Sequence, residues 1–333
     1  QQWQLLNKLS MRKPQVRPEP DASPDAVNAF FVDKIAKVRK KLEGSEPPRI
    51  NMNQSEDKMT RFDRVTTEEV AAALATVKPS AAPGIDELPM SILKKCGPSL
   101  HPHLARLMNA VVIAGWPSTW KRADVCALWK RKGEKTDVSK YRPVAILPAI
   151  GRLTERVLLR QILVHLERVG ALPRSQHGYR KGHSVETAIA HIVDTAASAR
   201  SQGETVMIAS YDATAAFDGL SHTILLEKLA KQARIEGEAL RLMNTFLADR
   251  KQRVRLSGGR VSEWLDLTSG TPQGAVWSPA LWALTLAAIA EHVTGEVVCL
   301  ADDVNVVVSH RDPSRCKELM EAATQQLLEY FRA

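Results

Sequence analysis

The first part of the chain repeats apolar residues at the spacing typical of helices. In several stretches they recur every three or four positions, which gives a helix one face to bury. Helices are predicted at 24–42, 66–77, 98–114, 152–170 and 184–201. Two of these carry end signals, because TTEE opens the second with a capping-box pattern and Gly170 closes the fourth.

Strand patterns become frequent only after residue 204. Before it, 125–130 and 141–147 predict two strands joined by a basic loop. TVMIASYD at 205–212 is a nearly continuous apolar run, so we expect a central strand that is buried on both faces. The segments 251–267 and 297–308 each predict a β-hairpin. Further helices are predicted at 217–231, 278–293 and 319–331.

These patterns divide the chain into three regions. Residues 1–65 hold a proline-rich stretch and the helix at 24–42, with no motif that has a chemical interpretation. Residues 66–204 are mainly helical, and residues 205–333 are richer in strands. Helices combined with antiparallel hairpins predict an α+β fold.

The charge balance favours an anionic partner without requiring one. Among 333 residues there are 46 Lys and Arg against 37 Asp and Glu, a net charge of +9. Such an excess suits a polyanion, but a basic soluble protein with no such partner explains it about equally well.

Cysteine usage and hydropathy narrow the class of protein. The four cysteines are widely spaced without a CxxC pair, which argues against a zinc site and a disulfide framework. A reducing intracellular setting is therefore expected, with nucleus and cytoplasm both open. The longest apolar stretch, 280–290, is too short to span a bilayer and no signal peptide is visible, so we expect no membrane association.

Acidic residues stand at the ends of two predicted strands. Asp302 and Asp303 occupy the turn of the second hairpin, and Asp212 ends the apolar strand before it. For an isolated Asp-Asp turn, a solvated turn is the favoured interpretation. The acid at a second strand end changes the balance, because carboxylates from two strands can hold hard cations such as Mg²⁺. The pattern indicates a two-metal site for in-line phosphoryl displacement.

A series of motifs runs through residues 78–331. They are KPSAAPGIDELPMSILK (78–94), YRPVAIL (141–147), QHGYRKGHSVETAI (176–189), YDATAAFDGLSHTILLEKL (211–229), GTPQGAVWSP (270–279) and CLADD (299–303). In this order, over some three-quarters of the chain, they resemble the reverse transcriptase domain of non-LTR retrotransposons, the LINE-like elements. Leu300 departs from the family's aromatic-Ala-Asp-Asp box, and the loss of a flat surface implies reduced activity.

The resemblance implies an RNA-directed DNA polymerase, a nucleotidyltransferase that adds dNTPs to a primer 3′-OH. It implies a right-hand architecture, with fingers and part of the palm in 66–204. The palm itself would lie in 205–333, an antiparallel sheet backed by helices. In the family a lysine-bearing motif and a helical thumb come next. Both would lie beyond Ala333, so the thumb is largely absent, and weak primer–template binding or inactivity of this stretch alone is expected.

The resemblance also implies roles around the acids. Asp212, Asp302 and Asp303 are the expected catalytic residues, with Asp303 beside the primer end. Asp212, the backbone carbonyl of Ala213 and Asp302 are the expected ligands of two Mg²⁺ ions, with Mn²⁺ as an alternative. Phe217 is expected to crowd the 2′ position of the nucleotide, and a core Phe is the alternative.

Two further groups of residues would contact the nucleotide. Arg142 is expected to pair with triphosphate oxygens, because a guanidinium forms two parallel hydrogen bonds with phosphate. Lys130 would help Arg142 to neutralise the triphosphate, although Arg131 and Lys132 are placed equally well and a solvated loop cation explains each of the three about as well. Gln273 and Gly274 are expected to lie against the nascent base pair.

The remaining expectations concern nucleic acid. Gln176, Arg180 and Lys181 are the expected contacts to the template. The partners would be an RNA template, a DNA primer and dNTPs, with an upstream endonuclease and a downstream thumb in the full-length protein. The alternative is a decayed or domesticated element remnant that only binds nucleic acid. Leu300 and the missing thumb favour that alternative, and the acids oppose it.

Overall fold

The computed structural model describes residues 18–40, 52–212 and 217–332, which form eleven α-helices, short 3₁₀ turns and two β-sheets. The helices are α1 (Pro24–Lys40), α2 (Thr67–Thr76), α3 (Met90–Lys95), α4 (His101–Ala114), α5 (Ala149–Arg168), α6 (Val185–Ser201), α7 (His222–Lys231), α8 (Gly237–Leu247), α9 (Ser278–Thr285), α10 (Ile289–His292) and α11 (Pro313–Arg332). The strands are β1 (Arg122–Trp129), β2 (Tyr141–Ile146), β3 (Thr205–Asp212), β4 (Arg250–Val254), β5 (Leu265–Leu267), β6 (Glu296–Leu300) and β7 (Asp303–His310). No helix in these ranges is both long enough and apolar enough to cross a bilayer.

Most of the predicted elements are confirmed. Thr66 and Glu69 form the predicted capping box, in which each side chain accepts from the backbone N–H of the other residue. Both predicted hairpins are present, as β4 with β5 and β6 with β7. The helices α3 and α8 lie outside the predicted ones.

One sheet has four strands in the order β2-β1-β4-β5. β1 pairs antiparallel with β2 and parallel with β4, so that residues 122–125 lie beside residues 251–254. β4 pairs antiparallel with β5. A division of the chain at residue 204 therefore does not separate the two sheets, because this sheet takes strands from both sides of it.

The other sheet has three antiparallel strands in the order β3-β7-β6. The prediction that 205–212 is a central strand buried on both faces is wrong. β3 is an edge strand, and its Ile208 is 51% exposed. Alternate side chains of β3, such as Met207 and Ala209, pack against the core, while the opposite face is only partly covered. An apolar run alone could not reveal this position.

The larger core lies among helices α2 to α5 and α7 to α9, around a group of aromatic side chains. Trp277 has no exposed surface, and its ring centroid lies 4.7 Å from that of Phe246. Trp116 packs edge-on against Phe246 with centroids 5.3 Å apart. This packing fixes the end of the segment that leads into α9.

A buried carboxyl group ties α5 to the same segment. Glu155 is 1% exposed and accepts hydrogen bonds from the backbone N–H groups of Val276 and Trp277, at 2.5 and 3.1 Å. Burial raises the pKa of Glu155 to about 7, against the opposing charge of Arg250. The segment 270–277 is thus anchored at its end by a polar network inside the core.

The helix predicted at 278–293 is divided into α9 and α10. At the division, the carbonyl of Thr285 accepts from Lys228 Nζ at 2.6 Å and from the Tyr330 hydroxyl at 2.5 Å. Leu286 N donates to the Ala283 carbonyl, a tighter turn than that of an α-helix. The chain bends here because distant side chains satisfy a carbonyl that a continuous helix would bond to Ile289 N–H.

Helix α1 packs on the four-stranded sheet and is held there by Asn28. This residue is 1% exposed; its Nδ2 donates to Ser262 Oγ and to the Glu263 carbonyl, both at 3.0 Å. Its Oδ1 accepts from Gln252 Nε2 at 3.0 Å. Phe31 joins an apolar cluster with residues of β1, β2 and β4. The orientation of α1 on the sheet is therefore fixed by both polar and apolar contacts.

Candidate active site

Three carboxylates meet at one edge of the three-stranded sheet. Asp212 ends β3 and is the direct cross-strand partner of Asp303, the first residue of β7. Cα atoms of such partners lie about 4.5–5.5 Å apart in antiparallel pairs. Leu300 also pairs with Asp303, which leaves Ala301 and Asp302 as a two-residue turn. The predicted acids are therefore brought together, with Asp212 opposite Asp303.

The acids concentrate negative charge in a partly desolvated place. Burial raises the pKa of Asp303, and the charges of Asp302 and Asp212 raise it further. Within the described residues, none of the three side chains has a hydrogen bond or an ion pair. In the same ranges, no group of three or more His, Cys, Asp and Glu side chains has the geometry of a metal site. Ala213, the expected backbone ligand, lies outside the described residues.

The turn that carries Asp302 is held in place by Gln176 and Trp282, which are distant from it in the sequence. Ala301 has a φ of 58°, a left-handed conformation that a non-glycine residue rarely adopts. Its N–H donates to Gln176 Oε1 at 3.3 Å, and its carbonyl accepts from Trp282 Nε1 at 3.0 Å. A Cβ on Gly178 would lie 2.3 Å from Ala301 N, so only glycine permits this approach.

This position changes the expected role of Gln176. The side chain has no exposed surface, and its Oε1 also accepts from Gly178 N at 2.7 Å. The expected contact between Gln176 and the template is therefore not available in this structure, because the residue is enclosed by the protein. Gln176 instead supports the acidic turn.

Arg180 and Lys181, the other two expected template contacts, differ in whether their side chains are already bonded within the protein. Arg180 donates from Nε and Nη2 to the two carboxylate oxygens of Glu167, at 2.7 and 2.8 Å, and from Nη1 to the Pro173 carbonyl. A template phosphate would have to compete with these bonds. Lys181 is exposed, and its side chain forms no hydrogen bond or ion pair within the described residues.

Tyr179 borders the acids, although the sequence did not mark it as a site residue. Its φ is 59° and its side chain is among the exposed large groups, at 47%. Burial raises the pKa of its hydroxyl, and the charge of Asp302 raises it further. The sequence signal for Tyr179 was its place in the motif at 176–189. The structure adds that the preceding Gly178 lies against the backbone of the acidic turn.

A second group of predicted residues lies where the segment 270–277 crosses β2. Gln273 accepts from Ala145 N through its carbonyl at 2.7 Å, and its Nε2 donates to Asp218 Oδ2 at 2.5 Å. Gly274 has a φ of 135°, and a Cβ there would lie 2.2 Å from the Ala145 carbonyl oxygen. Phe217 is partly buried and packs on Trp282, with centroids 6.1 Å apart.

Asp218 is an acid in this group that is not one of the expected metal ligands. Burial raises its pKa to about 6, while the hydrogen bond from Gln273 and the charge of Lys34 oppose that rise. The carboxyl group fixes the amide of Gln273, and thereby the side chain of a residue predicted to lie against the base pair.

Lys130 and Arg142, the two cations predicted to bind phosphate, lie near one another. Lys130 Nζ donates to the Ser139 carbonyl at 2.9 Å. Burial lowers the pKa of Lys130, and nearby positive charges lower it further, with Lys34 the largest of these and Arg142 next. Arg142 is exposed on β2, within the strand that carries Ala145. The predicted phosphate-binding residues therefore form one basic cluster.

Comparison with known proteins identifies the family of this chain. Residues 130–332 match the family model described as reverse transcriptase (RNA-dependent DNA polymerase). The chain belongs to the reverse transcriptase family. The predicted resemblance is thereby confirmed.

The relatives of this reverse transcriptase are proteins of mobile elements. The RNA-directed DNA polymerase from mobile element jockey of Drosophila melanogaster is 30% identical over 275 residues, which cover 81% of this chain and 29% of that protein. The protein of the same name from Drosophila funebris is 30% identical over 280 residues, covering 81% of this chain and 30% of its own length. A putative 115 kDa protein in the type-1 retrotransposable element R1DM is 28% identical over 244 residues, which cover 72% of this chain and 23% of that protein.

These similarities place the reverse transcriptase domain among those of non-LTR, LINE-like elements. The matched region spans less than a third of the length of these curated relatives. The mixture of helices with one antiparallel and one mixed sheet is consistent with the family, and reverse transcriptases generally use divalent metal ions.

Proposed function

We propose that this chain is the polymerase core of a non-LTR retroelement and extends a DNA primer with dNTPs on an RNA template. The observation that carries the proposal is the meeting of Asp212, Asp302 and Asp303 at one sheet edge, in a chain of the reverse transcriptase family. Three adjacent carboxylates with no ion-pair partner among the described residues repel one another, which destabilises an ordinary surface turn, but they supply the oxygen ligands that divalent cations prefer.

In this proposal the molecule has the right-hand arrangement of polymerases. The three-stranded sheet is the palm, with α9 to α11 packed on it, and the acids stand at its open edge. The four-stranded sheet, with the basic cluster on β2, belongs to the fingers. The pairing of Ala145 with Gln273 supports this division, because it joins the two parts at the nucleotide-binding residues.

Divalent ions would be held by Asp212, Asp302 and the carbonyl of Ala213. Two Mg²⁺ ions fit the donor set, with Mn²⁺ as an alternative, since hard cations prefer oxygen ligands and leave positions for phosphate oxygens. In the part of the chain that the structure describes, the acids form no hydrogen bond or ion pair, which supports this assignment. When bound, the ions would lower the pKa of the primer hydroxyl and neutralise charge on the phosphates.

The neighbouring residues would position the nucleotide. Arg142 and Lys130 would bind the triphosphate, because both are cations of one basic cluster and cations form strong hydrogen bonds with phosphate oxygens. Phe217 would face the sugar and exclude a 2′-hydroxyl. Gln273, oriented by Asp218, and Gly274 would lie against the new base pair.

The nucleic-acid partners would be an RNA template and a DNA primer, bound mainly through their phosphates. Lys181 is the exposed candidate for such a contact, and Arg180 would have to exchange Glu167 for phosphate. An endonuclease upstream and a thumb downstream would complete the whole protein, whose relatives are more than three times as long as the matched region. The intracellular setting would be the nucleus or the cytoplasm.

Primer extension tests the proposal. The chain, extended at its C-terminus by a thumb, is supplied with poly(rA)/oligo(dT), dTTP and Mg²⁺ at saturating primer–template, and incorporation is measured for wild type, Asp212→Asn and Asp302→Asn. Each change should lower incorporation by at least about 100-fold, the scale for loss of one group that stabilises charge in a transition state. Asp194→Asn, the same change at an exposed acid of α6, should have no effect. Filter binding of primer–template without any incorporation would instead establish a nucleic-acid-binding remnant.

A further inference from the structure

Helix α1 forms one wall of a pocket at the nucleotide-binding residues. Phe31 and Ile35 line this pocket together with Pro143 of β2, Asp218 and Gln273. In a helix, positions separated by three or four residues share a face. Lys34 follows Phe31 by three positions and therefore lies on the same side of α1 as Phe31, and its side chain is exposed.

The charge of Lys34 acts on both sides of the pocket. It lowers the pKa of Lys130, where it is the largest of the nearby positive charges, and it also lowers the pKa of Asp218. Lys34 has no ion pair within the described residues. Lys34 is therefore near both Lys130 and Asp218.

Three of these cations form no ion pair among the described residues. Lys140 pairs with Asp137 at 3.5 Å, but no carboxylate in the described part of the chain forms an ion pair with Lys34, Lys130 or Arg142. Close like charges repel and raise the free energy of the free protein, and an external polyanion would relieve the repulsion. The position of α1 on the sheet is maintained by the buried Asn28, so Lys34 is held near this cluster.

We propose that Lys34 is a further nucleotide-binding residue, which contacts the triphosphate of the incoming dNTP together with Lys130 and Arg142. The proposal rests on the proposed polymerase function and extends the site to a helix outside the matched region 130–332. A lysine suits this role because its flexible stem carries a point charge that can follow a mobile polyphosphate. Phosphates of the nucleic-acid backbone are the competing ligand, and the experiment separates the two.

The direct test is equilibrium binding to the full chain. Calorimetric titration with dTTP and with inorganic tripolyphosphate, each with Mg²⁺, compares wild type with Lys34→Gln, Lys34→Arg and Lys37→Gln. Lys37 is an exposed cation on the same helix that does not perturb Lys130 or Asp218, which makes Lys37→Gln the matched control. Lys34→Gln should raise the Kd of both ligands about threefold to tenfold, the range for losing one exposed or partly exposed charge contact. Lys34→Arg should restore most of the affinity, and Lys37→Gln should not change it.

Primer–template binding gives the second readout. If Lys34→Gln weakened binding of primer–template and left the Kd of dTTP unchanged, Lys34 would be a backbone contact and the proposal would be overturned. It would also be overturned by equal effects at Lys34 and Lys37, or by a wild-type chain that bound neither triphosphate. Triphosphate binding that depends on Lys34, in a chain that incorporates nothing even when extended by a thumb, would support this proposal and refute the polymerase function. The two can therefore fail separately.

Discussion

Truncation of Gln176 should loosen the acidic turn. In Gln176→Ala the acceptor Oε1 is lost, and the backbone N–H groups of Gly178 and Ala301 are left without their partner. Both groups lie next to a residue that has no exposed surface, so water cannot readily replace the amide. The change thus acts on the turn that carries Asp302 without altering any acid.

The magnitude follows from three contributions. A buried donor left without a partner costs about 1–3 kcal/mol, and the bond to Ala301, at 3.3 Å, belongs at the low end of that range. Truncation also removes Nε2, which is buried without a partner in the described structure. Loss of this unpaired group stabilises the folded state by about 1–2 kcal/mol. These terms sum to about 0–3 kcal/mol, so the free energy of unfolding should fall by about 1–2 kcal/mol, the middle of that range, in Gln176→Ala.

Urea unfolding and primer extension check this prediction together. The exposed Gln202→Ala serves as the control and should change the free energy of unfolding by less than about 0.5 kcal/mol. Incorporation by Gln176→Ala should fall by about 10- to 100-fold, because a displacement of about 1 Å at a reacting group has effects of this size. A variant with unchanged stability but weaker template binding would refute the reasoning and restore the direct template contact.

Three further changes test the nucleotide side of the site. Gly274→Ala should lower the free energy of unfolding by about 1–3 kcal/mol and reduce incorporation, because its Cβ would meet the Ala145 carbonyl at 2.2 Å. Asp218→Asn should alter the pH dependence of stability. The folded-state pKa of Asp218, about 6, lies above its ordinary value of 3.8, so the native state retains a proton that the unfolded state releases. The contribution of this acid therefore declines as pH rises from about 4 to about 6, and the variant should lack that decline in urea unfolding. Phe217→Val should raise the ratio of ribonucleotide to deoxynucleotide kcat/KM by at least about tenfold, the lower range for one changed apolar contact.

Each of these changes has a control or an outcome against it. Gly258→Ala also places a side chain at positive φ, but in open space, and so separates backbone strain from the clash at Gly274. If wild type and Asp218→Asn had parallel stability profiles between pH 4 and 6, Asp218 would not hold a raised pKa. An unchanged sugar preference in Phe217→Val would return Phe217 to a core role, consistent with its packing on Trp282.

Local signals predicted local structure well. The capping box of Thr66 and Glu69 and the hairpin turn before Asp303 are determined by residues within a few positions of one another, so a sequence pattern can predict them. The meeting of Asp212 with the acids of the hairpin also followed, because the strand ends and the family motifs agree.

Features set by distant partners could not be predicted in this way. The edge position of β3 depends on which strands pair, and its apolar run is compatible with either place in a sheet. The end of α9 depends on Lys228 and Tyr330, which reach the Thr285 carbonyl from elsewhere in the chain. Gln176 matches a motif, but its burial beneath Ala301 depends on a contact across 125 positions.

The attachment of α1 has a consequence for how the molecule is made. Asn28 and Ser262 are bonded across 234 positions, so the helix leaves the ribosome long before its docking surface exists. At about 5–20 residues per second, that delay is roughly 12–47 s. During this interval the apolar face containing Phe31 stays available to chaperones or to other nascent chains. The pocket beside α1 forms only when the hairpin of β4 and β5 has emerged.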